Sequence, residues 1–422
     1  MRGDVPEGWS IAPLGNVATV LLSNVDKKAK EGEPEVKLCN YMDVYSNDSI
    51  TSAIDFMKAT ASLAQIKKFG LKAGDVMITK DSEDPTDIAI PSVVLEEFDE
   101  PVLCGYHLAL LRPQRDVDGQ FLAYALRSRD VNDQFVRGAN GSTRFGLTSN
   151  VIHNARLPVP PLAEQRKIAA ILTSVDEAIQ ATEAVIAQTR RVKEGLLQEL
   201  LTKGIGHTRF KQTEIGELPE TWEVRRLVEV SAGGIRNGIF KKREEFGDGG
   251  VPMINVLDCF TGPPVRLHTL ERVLADHGEI DRFEVANGDL LFIRSSLNVE
   301  GIGHSAIVQG LTERTVFECH VMRVRPIKEI VPDFLYHYTK SKSFRCRIMG
   351  NAQTTTMTTL PQDGLGSLQV PIPPIEEQQQ IADTLNSLDR QVREHENAQI
   401  GNRQVKTGLL QDLLTGRVRV TP

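Results

Sequence analysis

The feature that most constrains this 422-residue chain is that it is written twice. Pro158-Val159-Pro160-Pro161-Leu162-Ala163-Glu164-Gln165 recurs 213 positions later as Pro371-Ile372-Pro373-Pro374-Ile375-Glu376-Glu377-Gln378. The same offset carries Ser174-Val175-Asp176 onto Ser387-Leu388-Asp389. It carries Lys193-Glu194-Gly195-Leu196-Leu197-Gln198 onto Lys406-Thr407-Gly408-Leu409-Leu410-Gln411, and Pro6-Glu7-Gly8-Trp9 onto Pro219-Glu220-Thr221-Trp222. Fainter echoes lie between: His107 and His320, Arg112-Pro113 and Arg325-Pro326, and Gly74-Asp75 and Gly288-Asp289 after one inserted residue. A repeat of this length means one fold built twice. The match is uneven, close and ungapped over 158–203 and 371–416 but skeletal over 15–150 and 228–360. That is a fixed frame carrying two different surfaces.

The closely matching segments read as helices. Pro160-Pro161 and Pro373-Pro374 end an extended strand, because proline fixes φ and offers no N–H to a ladder. Each pair then opens a helix, with Glu164 or Glu376-Glu377 in the first turn where negative charge suits the helix dipole. Alternate steps of four and three give Ile168, Leu172, Val175, Ile179, Thr182, Ile186, Thr189, Lys193, Leu196 and Leu200 in the first copy. The second copy gives Ile381, Leu385, Leu388, Val392, His395, Gln399, Asn402, Lys406, Leu409 and Leu413. This is a heptad seam, apolar at both ends and polar in the middle. A helix of about 40 residues is roughly 60 Å long, too long to bury in one small core. The expectation is therefore an antiparallel pair, with two globules held apart by a stiff rod and related by an approximate two-fold axis. The alternative is two amphipathic helices, each packed on its own globule.

The expected organisation is thus α/β globules at 1–157 and 205–370, spacer helices at 158–204 and 371–422. Strands are expected at Asp75–Thr79, His107–Arg112, Asp289–Arg294 and Val321–Val324, and short helices at Phe121–Leu126 and Phe334–Tyr338. The Gly-Asp pairs read as tight turns. Late in each globule comes a polar stretch that reads as a loop, with Arg137, Asn140, Ser142, Thr143 and Arg144 in the first copy and Gln353, Thr354 and Thr355 in the second. Hydroxyls, amides and arginine on a glycine-bearing loop suit contacts to phosphates and base edges, and equally suit a solvated surface. Further basic candidates are Lys67, Lys68, Lys80, Arg236, Lys241, Lys242, Arg243, Arg294, Arg345 and Arg347.

Composition narrows the function classes. Hydrophobic residues make up 40 % and charged residues 25 %, which suits globular domains and excludes wholesale disorder. The net charge of −7 excludes a uniformly basic nucleic-acid coat, so a DNA binder of this kind must gather its cations on one face. No apolar run approaches the roughly 18 residues needed to span a bilayer, and the first residues lack the apolar core of a signal peptide. The five cysteines, Cys39, Cys104, Cys259, Cys319 and Cys346, are scattered and show no zinc spacing, so reduced thiols in a cytoplasmic protein are expected. No Walker loop, dinucleotide fingerprint, HExxH or GxSxG occurs. Val159-Pro160-Pro161-Leu162 lacks the polar residue that an amino-methyltransferase places before its Pro-Pro pair. Lys80-Asp81-Ser82-Glu83-Asp84 reads as a loop rather than a nuclease centre, and no catalytic constellation stands out.

The duplicated Pro-x-Pro-Pro-[LI]-x-Glu-Gln and Leu-Leu-Gln-[ED]-Leu-Leu-Thr blocks, with Pro-Glu-x-Trp heading each half, resemble the specificity subunit of Type I restriction–modification systems. The resemblance covers essentially the whole chain. It implies that each globule is a target recognition domain reading one half of a split, asymmetric double-stranded DNA sequence. It implies that the helices fix the half-site spacing and dock two methyltransferase subunits, joined in the complex by restriction and translocation subunits. S-adenosylmethionine, ATP and Mg²⁺ are then expected on those partners and none in this chain. Two readings from other classes remain beside it: a coiled-coil scaffold binding proteins, and a degenerate methyltransferase.

Overall fold

The structure is a computed structural model and describes residues 6–26, 28–354 and 358–420. The chain divides into two compact units, one formed by residues up to Glu183 together with those from Asn397 on, the other by Ala184–Glu396. Each unit therefore holds one globule and a stretch of both long helices, which span Leu162–Lys203 and Ile375–Leu414.

In the first unit a five-stranded sheet runs in the order Ala18–Leu22, Leu108–Pro113, Val76–Thr79, Pro91–Val94, Ser49–Ile50. A three-stranded sheet of Met57–Thr60, Glu35–Cys39 and Val102–Cys104 packs beside it. The second unit repeats the plan with four strands, Arg236–Asn237, Val321–Val324, Leu290–Ile293 and Ser305–Ile307, and a three-stranded sheet of Arg272–Val273, Phe246–Ile254 and Val316–Phe317. The central strands Val76–Thr79 and Leu290–Ile293 are buried along their whole length, which is why their sequences are apolar runs without alternation. The short helices form at Gly119–Arg127 and Pro332–Thr339, and each is followed by a second, Arg129–Gly138 or Lys342–Asn351. The polar stretches therefore begin later than the sequence suggested: Arg137 and Gly138 close a helix, as do Gly350 and Asn351. The chain restarts as helix after Ser128 and Ser341, the latter accepting the Phe344 N–H as a side-chain cap.

The repeated motifs turn out to be joints. Strand Ser10–Pro13, directly after Trp9, pairs antiparallel with Arg156–Val159, directly before the Pro-Pro pair, and Glu223–Arg226 pairs in the same way with Gln369–Ile372. The Glu of each Glu-Gln pair is buried and accepts the indole N–H, Trp9 Nε1 to Glu164 and Trp222 Nε1 to Glu377, both at 3.0 Å. In the first unit Arg419 adds two hydrogen bonds of 2.9 Å to Glu164 and holds its carboxyl below the usual range. In the second unit the Ile205 N–H and the His207 ring donate to Glu377. The neighbouring Gln165 donates to the carbonyls of Pro160 and Asp116 and accepts from the Asp118 N–H. Gln378 does the same with Pro373, Glu329 and Val331. Gly74 and Gly288 take φ of +87° and +91°, and the Asp after each is more than a turn residue. Asp75 grips Arg112 by two hydrogen bonds and Asp289 grips Arg325 likewise.

Within each unit the long helices run antiparallel. In the first, Asp176 and Glu183 pair with Lys406 and Arg403. In the second, Lys193 and Arg190 pair with Asp389 and Glu396. Under the 213-residue offset these ion pairs are images of one another. Ile168, Leu172, Leu409 and Leu413 join the first core, and Leu200, Ile381 and Leu385 the second. Val175, Ile179, Leu196, Leu388 and Val392 are buried or half-buried. No helix among the described residues is long and apolar enough to cross a membrane.

Lys340 is unusual in the second unit. It donates to the Ser305 carbonyl, lies 3.4 Å from His304 Nε2 and sits over the Tyr336 ring. Burial, with Arg345 and Lys193 nearby, pulls its ammonium down to about 7, and burial beside Lys340 takes His304 to about 4.

Two predictions follow from this packing. Leu385→Ala removes a fully buried seam side chain and is expected to cost about 2–5 kcal/mol, read as a lower urea midpoint. Between pH 7 and the ordinary lysine range near ~10 the unfolded chain holds the Lys340 proton and the folded one does not, so this residue makes stability rise with pH there. Urea titrations across that window should show a steeper rise for the natural chain than for Lys340→Met, and equal slopes would refute the assignment.

Candidate nucleic-acid interface

The two polar loops fold to the same place in each unit. In the first, Phe145–Gly146 pairs antiparallel with Asp81–Ser82, at the end of the central strand. In the second, Thr358–Thr359 pairs with Ser295–Ser296 and with Gln353–Thr354, at the end of the corresponding strand. The next strand over begins beside them: Lys80 N–H donates to the His107 carbonyl, and Arg294 N–H to that of His320. Each unit thus gathers a basic residue, a histidine and a polar loop at one edge.

The chemistry at the two edges differs. In the first unit the loop is closed by a bridge between Asn140 and Gly146. Gly141, at φ +147°, allows it, since a Cβ there would stand 1.9 Å from the Arg144 carbonyl oxygen. Arg144 Nε donates to Asp81 Oδ1 at 3.1 Å, and a second donor from its Nη2 reaches the same oxygen. His107 Nδ1 lies 2.9 Å from Asp81 Oδ2, 3.1 Å from Oδ1 and 3.3 Å from Arg144 Nη2. Lys80 lies over the ring of Tyr106, 4.3 Å from its centre, and burial lowers its pKa. Tyr106 is half exposed and stands edge-on to His107. Tyr41 and Tyr45 stack on each other close by, with Tyr45 donating to Asp87. The second unit has Ser295 where the first has Asp81, and Arg294 Nε is buried without a hydrogen-bond partner among the described residues.

The sequence candidates divide on this geometry. Lys80, Asn140, Ser142, Thr143 and Arg144 share the first edge, and Arg294 and Gln353 share the second. Thr354 is described only as backbone strand, and Thr355 lies outside the described residues. Lys67 and Lys68 are exposed in the last turn of the helix Leu63–Phe69, and Arg236 and Lys242 are exposed in the second unit. Arg137 is exposed but hydrogen-bonded to its own helix, and Arg243 pairs with Glu271. Three candidates are engaged by the fold itself. The Lys241 side chain is 5 % exposed and bonded to Glu245 and Glu279. Arg345 caps the carbonyls of Ile302 and Glu300 from the helix Lys342–Asn351, and Arg347 holds the Gln369 carbonyl and the Tyr338 hydroxyl. A charge run in sequence does not show which arginines the fold needs for carbonyls.

Asp81, His107 and Tyr106 are the members that sequence reasoning passed over. The signal was the His107–His320 echo, which sits one strand away from Lys80 and Arg294. As for metals, the described residues bring the donor atoms of Glu318, Cys319 and His320 within 4.8 Å of one another. The carboxylate there is already taken by the Cys319 thiol and the His320 N–H, and burial with the Glu318 contact pushes that thiol up to about 12. The group holds a proton at neutral pH.

Comparison with known proteins bears on this arrangement. The sequence profile of the Type I restriction modification DNA specificity domain matches residues 6–189 and again 219–402. The MjaVIII specificity subunit of Methanocaldococcus jannaschii is 25 % identical over 422 residues, covering 99 % of this chain and 94 % of the relative. The EcoKI specificity subunit of Escherichia coli K12 is 24 % identical over 404 residues, covering 92 % of this chain and 83 % of the relative. Among solved structures, the S subunit of a Type I restriction–modification system from M. genitalium shares the fold at a TM-score of 0.58 and 15 % identity, covering 100 % of this chain and 98 % of that one. A chain from a study of complex assembly in the type I R-M system reaches 0.56 at 18 % identity, covering 99 % and 100 %. These findings leave the scaffold alternative without support. The chain belongs to the Type I restriction modification DNA specificity family and carries that family's domain twice.

Proposed function

We propose that this chain is the DNA-reading specificity subunit of a Type I restriction–modification complex. In this reading each unit takes one half of a bipartite, asymmetric duplex sequence, and the chain itself performs no covalent chemistry. Two methyltransferase subunits dock on it, restriction and translocation subunits complete the assembly, and S-adenosylmethionine, ATP and Mg²⁺ bind to those partners. The observation that carries the reading is the pair of equivalent edges: the same joints in both repeats present Lys80, Asp81 and Arg144 at one and Arg294, Ser295 and Gln353 at the other. Equal frames with unequal reading surfaces are what a non-palindromic target requires. Methylating a base needs it flipped from the stack, and a subunit that grips the duplex on both sides serves a partner's pocket in doing so.

The test is to replace residues 15–150 with the corresponding segment of another family member and map methylated bases in the reconstituted complex. One half-site is expected to change while the other half and the spacing stay. A change in both halves would overturn the modular reading. Lengthening both long helices by one heptad should alter the spacing alone. Duplex binding should fall steeply with salt, since phosphate contacts release counterions.

A further inference from the structure

We propose that Arg144, held in place by Asp81, reads a guanine in the half-site contacted by the first unit. The inference rests on the DNA-reading function above and names a specificity-determining residue within it.

The geometry of the pair carries the argument. Arg144 turns the Nε–Nη2 side of its guanidinium onto Asp81 Oδ1, and Asp81 is fixed from its other side by His107. The carboxylate side chain is 15 % exposed and the arginine side chain 57 %, so the buried partner orients the exposed one. With that side engaged, and Nη2 also 3.3 Å from His107 Nδ1, the Nη1–Nη2 end is the guanidinium edge turned away from the carboxylate, presenting two parallel donors. Guanine offers two parallel acceptors, O6 and N7, on its major-groove edge, while adenine offers one acceptor and one donor there. The loop that carries Arg144 is closed by the Asn140–Gly146 bridge and by pairing of Phe145–Gly146 with Asp81–Ser82, so the donor pair stands on a rigid mount.

A phosphate is the competing target, and Asp81 weighs against it. The carboxylate offsets the arginine's charge and repels a phosphate brought to the same point. A neutral base edge suffers no such repulsion, and its hydrogen bonds gain from a fixed guanidinium. The second unit has Ser295 in place of Asp81, so the same position there lacks the orienting carboxylate. The device therefore serves one half-site only.

The experiment is selection of duplexes from a randomised library by the full-length chain in complex with its methyltransferase partner, at two salt concentrations. The natural complex should require G·C at one position of the first half-site. Arg144→Ala should lower discrimination at that position about 5- to 150-fold and leave every other position unchanged. Arg144→Gln should move the preference toward adenine, whose N6 and N7 match the glutamine amide, and Arg144→Lys should keep overall affinity but lose selectivity there. Asp81→Asn should blur the preference without abolishing binding. Unchanged selectivity in Arg144→Ala would overturn the assignment. So would uniform weakening on all sequences with a salt slope reduced by about one, the mark of a phosphate contact. A natural complex with no sequence preference would overturn the functional reading itself, and this assignment with it.

Discussion

Each unit depends on a buried carboxylate in the first turn of a long helix. Glu164 and Glu377 lie where three separate pieces of chain meet: the head strand through its tryptophan, the strand before the Pro-Pro pair, and a third segment that differs between the units. In the first unit that third segment is the tail bearing Arg419, and in the second it is the stretch through Ile205 and His207 that follows the first long helix. A carboxylate removed from water is costly unless its oxygens are all engaged. Here each is met by N–H donors from side chains or backbone, and the helix N-terminus adds favourable potential. The joint is consequently intolerant of change, and its parts (Pro-Glu-x-Trp, Pro-Pro, Glu-Gln) are the parts the repeat retained.

The long helices extend that constraint. Lys193 and Lys406 occupy seam positions where a heptad pattern places apolar side chains, and they pair with Asp389 and Asp176, each one residue past the seam. Both pairs are largely shielded, so each lysine needs its aspartate, and a register slip would strand both charges. Tyr124 donates to Asp176 at 2.7 Å, tying the short helix of the first unit into the same network. His337 holds Asn386 in the second, at the equivalent site. Helix register and globule orientation are thereby set by one cluster in each unit.

Much of this was legible in the sequence because repetition marks what the frame cannot lose. The offset of 213 located the joints and the helix starts, the same echo after one inserted residue located the Gly-Asp turns, and the buried apolar runs located the central strands. The role of the Asp in each Gly-Asp pair was hidden, since Arg112 reaches it from the next strand and Arg325 from just past the end of the corresponding one. The reading edge was harder. Its residues differ between the copies by design, so repetition gives no help, and Asp81 looked like one acid among several in a loop. Arg345, Arg347 and Lys241 show the opposite: they look like free surface cations, yet their side chains hold the fold's own carbonyls and carboxylates. Charge is visible in sequence, whereas the partner that neutralises it is a property of the fold.

The division between frame and reader falls along one short strand. Val76–Thr79 begins at Asp75, locked to Arg112, and ends at Lys80 and Asp81, which belong to the proposed reading edge. Leu290–Ile293 begins at Asp289, locked to Arg325, and ends at Arg294 and Ser295. Four residues of strand separate the two ends by roughly 13 Å. The interior of that strand is buried on both faces and tolerates little change, so substitutions at the outer end cannot travel back to the inner one. A rigid strut whose foot is the same in both copies and whose tip differs separates the proposed reading chemistry from the joint below it. In the proposed function that separation lets one chain hold two readers that differ in chemistry while the Trp–Glu and Asp–Arg contacts beneath them repeat.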